Sequence, residues 1–112
     1  MVQATVRMVM DPLGLDEGLR ILKSIAERTR AEPGCVICSV HRDVEDTRVV
    51  VLEEVWRSEQ KMRLHLASSE YRSVLLLMEM CEEQPVVRFD TIAGSTGIET
   101  IRQARSGGNS IE

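Results

Sequence analysis

The chain has 112 residues, 43% apolar and 29% charged, with a net charge of −4 at neutral pH. That is room for one domain, and the acidic balance argues against nucleic acid or an anionic membrane as a partner. The longest uncharged apolar run, Val74–Met78, is far short of the ~20 residues a membrane span needs.

Val2, Ala4, Val6, Met8 and Met10 alternate with Gln3, Thr5, Arg7 and Val9, which is the period of a strand. Asp11-Pro12-Leu13-Gly14 breaks it. From Leu15 to about Arg30, Leu15, Leu19, Leu22, Ile25, Ala26 and Thr29 form one stripe opposite Glu17, Arg20, Lys23 and Glu27, an amphipathic helix. Glu32-Pro33-Gly34 ends it, because proline disfavours helix in the residue before it and glycine permits a sharp turn. Cys35–Arg42 and Arg48–Trp56, rich in valine, read as two more strands around a polar turn.

Ser58 is the expected N-cap of a helix starting at Glu59. Ser68-Ser69 should interrupt it, since serine competes for backbone hydrogen bonds. A further helix is expected over 70–82, and a fourth strand over 86–92 after Pro85. Thr96 and Glu99 have capping-box spacing before a short helix with Ile98 and Ile101 on one face. SGGNSIE reads as a disordered tail. The expected division is a folded domain over 1–93 and a C-terminal extension over 94–112.

The order β-α-β-β-α-β predicts an α+β, ferredoxin-like fold: a four-stranded antiparallel sheet with helices on one face. On the third strand Val49, Val51 and Val55 point one way, and Val50, Leu52 and Trp56 the other. On the second, Cys35 and Ile37 oppose Val36, Cys38 and Val40. Both sheet faces therefore read as apolar, and a second copy packed face to face, a homodimer, is the expected cover.

Three aromatic residues occur in the whole chain, and two of them, Trp56 and Tyr71, flank His65 within LEEVWRSEQKMRLHLASSEY (Leu52–Tyr71). A core would account for Trp56 alone; a pocket would account for the set. Glu54 and Trp56 are two apart on a strand and share a face. His65 is the neutral-pH proton acceptor near them. Tyr71 leads a stripe of Val74, Leu75 and Met78, as a half-buried core tyrosine also would. Cys35 and Cys38 have C-x-x-C spacing, but on a regular strand positions three apart face opposite ways, so they read as small buried hydrophobes rather than metal or redox ligands. The odd cysteine count argues against a disulfide framework. The start MVQATVRMVM lacks a signal-peptide pattern, and a reducing cytoplasm is the expected setting.

The stretches TRAEPGC (Thr29–Cys35) and EEVWRSEQKMRLHLASSEY (Glu53–Tyr71), followed by a strand carrying Phe89, resemble the antibiotic-biosynthesis-monooxygenase domain, also grouped with quinol monooxygenases among the dimeric α/β barrels. The similarity covers about residues 2–92. It implies a dimer with a pocket in each subunit between sheet and helices, and a small-molecule substrate. It also implies oxygenation of a phenol or hydroquinone with no metal, flavin or haem. By position, Glu54 and Trp56 match the family's E-x-W, His65 its helix histidine and Tyr71 its next aromatic. Haem-degrading relatives use an asparagine on the first strand, where this chain has Gln3, Thr5 and Arg7.

The expected activity is cofactor-independent monooxygenation of a small aromatic phenol or hydroquinone. His65 would be the base, oriented by Glu54, with Trp56 as a wall and Tyr71 as a polar anchor. The alternatives are a non-catalytic dimeric binding or accessory protein, and an isomerase using His65 and Glu54 as acid and base on a sugar-like substrate.

Overall fold

A computed structural model of the chain describes residues 1–107. It contains β1 (Val2–Val9), α1 (Leu15–Thr29), β2 (Cys35–Arg42), β3 (Val49–Trp56), α2 (Glu59–Leu66), a 3-10 turn (Ser69–Tyr71), α3 (Arg72–Glu79), β4 (Val86–Thr91) and α4 (Ile98–Arg105). The four strands form one antiparallel sheet in the order β2-β3-β1-β4. This is the predicted ferredoxin-like arrangement. The expected tail falls mostly on residues 108–112, outside the described residues.

Local chemistry sets the boundaries. The Ser58 hydroxyl accepts from the Lys61 amide at 3.2 Å and caps α2. Ser68 and Ser69 do interrupt the helix: the Ser68 hydroxyl donates to the His65 carbonyl, and the chain tightens into the 3-10 turn before α3. The capping box at α4 is corrected. Gly97 is the N-cap, and its own amide donates to Glu99 Oε1 at 2.9 Å, while Thr96 meets Thr100 instead.

The core lies between the sheet and α1, α2 and α3. Val6, Met8, Val50 and Leu52 from the central strands meet Leu22, Ile25 and Ala26 of α1 and Val74 and Leu77 of α3. A satellite of Val2, Ala4, Trp56 and Met62 closes the end beneath α2. Each large side chain so removed from water contributes about 1.5–3 kcal/mol.

The other sheet face is not the greasy surface expected from β2 and β3. Register aligns Ser39, Glu53, Thr5 and Arg88 across all four strands, flanked by the rows Ile37–Val55–Gln3–Asp90 and His41–Val51–Arg7–Val86. Gln3 donates to Glu53 at 2.8 Å, and His41 lies 3.6 Å from the same carboxylate. The topology explains the difference. It sets β1, whose outward residues are Gln3, Thr5 and Arg7, in the middle of the sheet, so a polar band divides the valines and Ile37.

Candidate functional site

Two turns bring the site together. At the end of α1, the Glu32 amide bonds to the Thr29 carbonyl and the Cys35 amide to the Glu32 carbonyl. Gly34 then turns the chain with φ of +90°, a conformation that favours glycine. The turn lies directly under α2, where a Cβ on Gly34 would stand 2.7 Å from Lys61 Cγ. Glu32 is thus held beneath the helix that carries Met62 and His65, three apart on its one buried face.

His65 sits at the centre. Its side chain is fully buried. Nδ1 lies 3.0 and 3.2 Å from the two oxygens of Glu32, whose carboxylate reaches solvent at the domain edge. Nε2 lies 3.3 Å from Glu54 Oε2, out of line for a good hydrogen bond, and neither atom has another hydrogen-bond partner among the described residues. The second Glu54 oxygen accepts from Trp56 Nε1 at 2.9 Å. The imidazole packs on Trp56 with ring centroids 4.8 Å apart, and meets Tyr71 edge-on at 5.3 Å.

Electrostatics follow from this enclosure. Burial works against a charged imidazole, but Glu54 and Glu32 outweigh it and raise the His65 pKa above 6.5. The Tyr71 phenol is pushed up by burial and by the Glu54 charge, so it stays a neutral hydroxyl. Burial, then Glu54, drives the Cys38 thiol to about 12.

All four residues singled out from the sequence, Glu54, Trp56, His65 and Tyr71, converge. Sequence reasoning missed Glu32, which it used only as a helix terminator. The signal was present, since an acidic residue directly before the Pro-Gly turn is fixed by that turn. It also misplaced the cysteines. A bulge between Cys35 and Ile37 pairs Cys35 with Trp56 and Cys38 with Glu54, so both face the helices. The extra residue of a bulge cancels the ordinary alternation. Cys38 is buried and Cys35 half-buried, and all three cysteines are free thiols.

An open cavity lies beside this cluster, not within it. A space of about 200 Å³ between α2 and β4 is lined by Val2, Met62, Leu66 and Phe89, with Arg63 and Asp90 among its polar residues. Glu54, Trp56, His65 and Tyr71 do not line it. Val2 and Met62 belong both to its wall and to the layer packed on Trp56, so the cavity and the buried cluster share a partition. That volume is the room of about one aromatic ring, since a cavity of ~150 Å³ admits benzene. Among the described residues no three His, Cys, Asp or Glu side chains are placed to hold one metal ion, and no helix is long and apolar enough to cross a membrane.

A four-stranded antiparallel sheet with a helix-covered Glu–Trp–His cluster defines an α+β fold of the ferredoxin-like class. The family model for antibiotic biosynthesis monooxygenase matches residues 1–75, and the chain belongs to that family. The crystal structure of an antibiotic biosynthesis monooxygenase superimposes with a TM-score of 0.75 at 22% identity, covering 84% of this chain and all of that one. A candidate antibiotic biosynthesis monooxygenase from Deinococcus radiodurans gives 0.80 at 20% identity, covering 88% and 98% of the two chains. A protein from Mycobacterium tuberculosis gives 0.77 at 21% identity, covering 86% and 98%. No curated protein matches the chain.

Proposed function

We propose that the protein is a cofactor-independent monooxygenase of a single-ring phenol or hydroquinone, with the cavity between α2 and β4 as its substrate pocket. The carrying observation is that this ring-sized cavity shares Val2 and Met62 with the layer packed on Trp56, behind which His65 is held between two carboxylates. Phe89 and the thioether of Met62 suit a flat ring. His65 would accept the phenolic proton, and the Glu54 and Glu32 carboxylates would stabilise the resulting imidazolium. A phenolate can give one electron to dioxygen, after which the radical pair combines. For a hydroquinone, one oxygen atom enters the ring and the other leaves as water, the ring supplying all four electrons. Trp56, Tyr71 and His65 lie behind the Val2–Met62 partition, so on this reading that layer yields when the ring binds, bringing the ring against Trp56 and within reach of His65 and the neutral Tyr71 hydroxyl.

One observation favours a second reading. The His65 side chain has no exposed surface and does not line the cavity. On that reading the cluster braces α2 against the sheet and the cavity binds its ligand without turnover. An acid–base isomerase would act on a sugar-like substrate, which the apolar wall of Val2, Met62, Leu66 and Phe89 disfavours.

The mixed open sheet face is read as the contact between two copies. Its apolar members Ile37, Val51, Val55 and Val86 flank polar residues, a composition ordinary for an interface.

Oxygen uptake with a panel of reduced quinones and phenols tests the reading. The expected result is one dioxygen consumed per substrate, abolished when Leu66→Trp fills the cavity. Binding of the same rings to the wild type with no oxygen consumed would leave the bracing reading in its place.

A further inference from the structure

α4 is a helix without a bed. None of its residues is buried, and Ile98 and Ile101 are 58% and 59% exposed. Residues 93–97, leading to it, are exposed too. The radius of gyration, 16.6 Å, exceeds the about 13 Å of a compact chain of this length, as a projecting arm requires. Such a helix of eight residues is not stable in water on its own account; its amphipathic face calls for a partner.

The body of the same chain carries a matching seat. A groove of about 520 Å³ runs along the end of α3, with Leu75, Met78 and Cys81 as its apolar wall and Glu79, Glu82 and Glu83 at its rim. Glu82 pairs with Arg48 at 3.1 Å; Glu79 and Glu83 have no ion-pair partner among the described residues. The arm and the groove repeat one pattern. Within the two helices Leu75, Met78 and Glu79 stand at i, i+3 and i+4, and so do Ile98, Ile101 and Arg102, while Arg105 one turn on falls opposite the acidic rim of Glu82 and Glu83 just past the end of α3. Laid side by side in parallel, apolar residues meet apolar residues and both arginines meet glutamates.

We propose that α4 is an exchanged arm that seats in the α3 groove of a second copy of this chain. The path of the chain favours the second copy over the chain's own groove. β4 leaves the groove at Pro85 and ends at Thr91, ~20 Å away at the usual strand rise. The segment 92–97 spans at most ~20 Å, so returning would demand that it double straight back, whereas it leads α4 clear of the body. Each copy has one arm and one groove, and reciprocal exchange closes a two-fold dimer with both filled. This contact is independent of the catalytic reading, and adds to any pairing through the open sheet face.

The test is sedimentation equilibrium of the full chain at low salt. Arg102→Glu with Arg105→Glu should raise the dimer dissociation constant at least tenfold, and Glu79→Arg with Glu83→Arg on the groove should restore it. Ile98→Asp with Ile101→Asp should weaken association similarly. These positions are exposed, so the melting temperature of each variant's monomer should match that of the wild type. Association unchanged by arm reversal overturns the proposal. So does a chain that stays monomeric while the reversals lower its melting temperature, which would place the arm on its own groove.

Discussion

His65 Nε2 and Glu54 Oε2 stand 3.3 Å apart inside the domain, each without another hydrogen-bond partner among the described residues. The pair joins helix to sheet, and Glu54 in turn accepts from Trp56. Two carboxylates on one imidazole favour its protonated form. The acidity of the cluster is therefore set jointly by α2, β3 and the turn after α1.

Replacing Glu54 by Gln keeps an acceptor for Trp56 Nε1 and removes the buried one of the two charges beside the imidazole. Of the groups raising the His65 pKa, Glu54 is the strongest. The Glu54→Gln variant should therefore show a lower His65 pKa in an NMR titration of the ring nitrogens. An unmoved titration would mean that Glu32 alone governs the histidine.

Removing the histidine leaves Glu54 buried and uncompensated. His65→Ala should cost about 3–5 kcal/mol in urea denaturation, the usual penalty for breaking a buried pair from one side. Adding Glu54→Gln should return part of that loss, because the stranded charge goes with it. Simple additivity of the two losses would refute the coupling.

The pH dependence has a definite sign. The folded-state pKa of His65 is raised above 6.5, so protonated His65 favours the folded state. Its contribution is complete below the unfolded value of about 6.5 and is lost as pH rises through the folded value. The stability difference between wild type and His65→Gln should shrink on going from pH 6 to pH 9, as read by denaturation midpoints. A difference that grows with pH would reverse the assignment.

Gly34 carries the turn that presents Glu32. At φ of +90° a side chain is strained, and its Cβ would sit 2.7 Å from Lys61 Cγ and 2.8 Å from Lys61 Cβ. Gly34→Ala should destabilise by about 1–2 kcal/mol or more. Adding Lys61→Ala should not relieve it, since the Lys61 Cβ remains. Rescue by that second change would show the cost to be side-chain crowding alone.

The sequence by itself determined the elements and their order. Alternation set β1, valine-rich runs set β2 and β3, and the serines at 58, 68 and 69 set where α2 begins and where the helical run breaks. All are local effects, acting within a few residues. The E-x-W of β3 and the spacing to His65 and Tyr71 were legible for the same reason: neighbours on a strand and on the following helix are brought together by short connections. Only the tertiary structure decided what lies far apart in the chain. It put Glu32 under His65, set polar β1 between the valines of β3 and the edge strand β4, and turned both Cys35 and Cys38 inward through one bulged residue. It also separated the open cavity from the buried cluster and left α4 without cover. These outcomes depend on strand order and register, which bring distant side chains together and which no local period encodes.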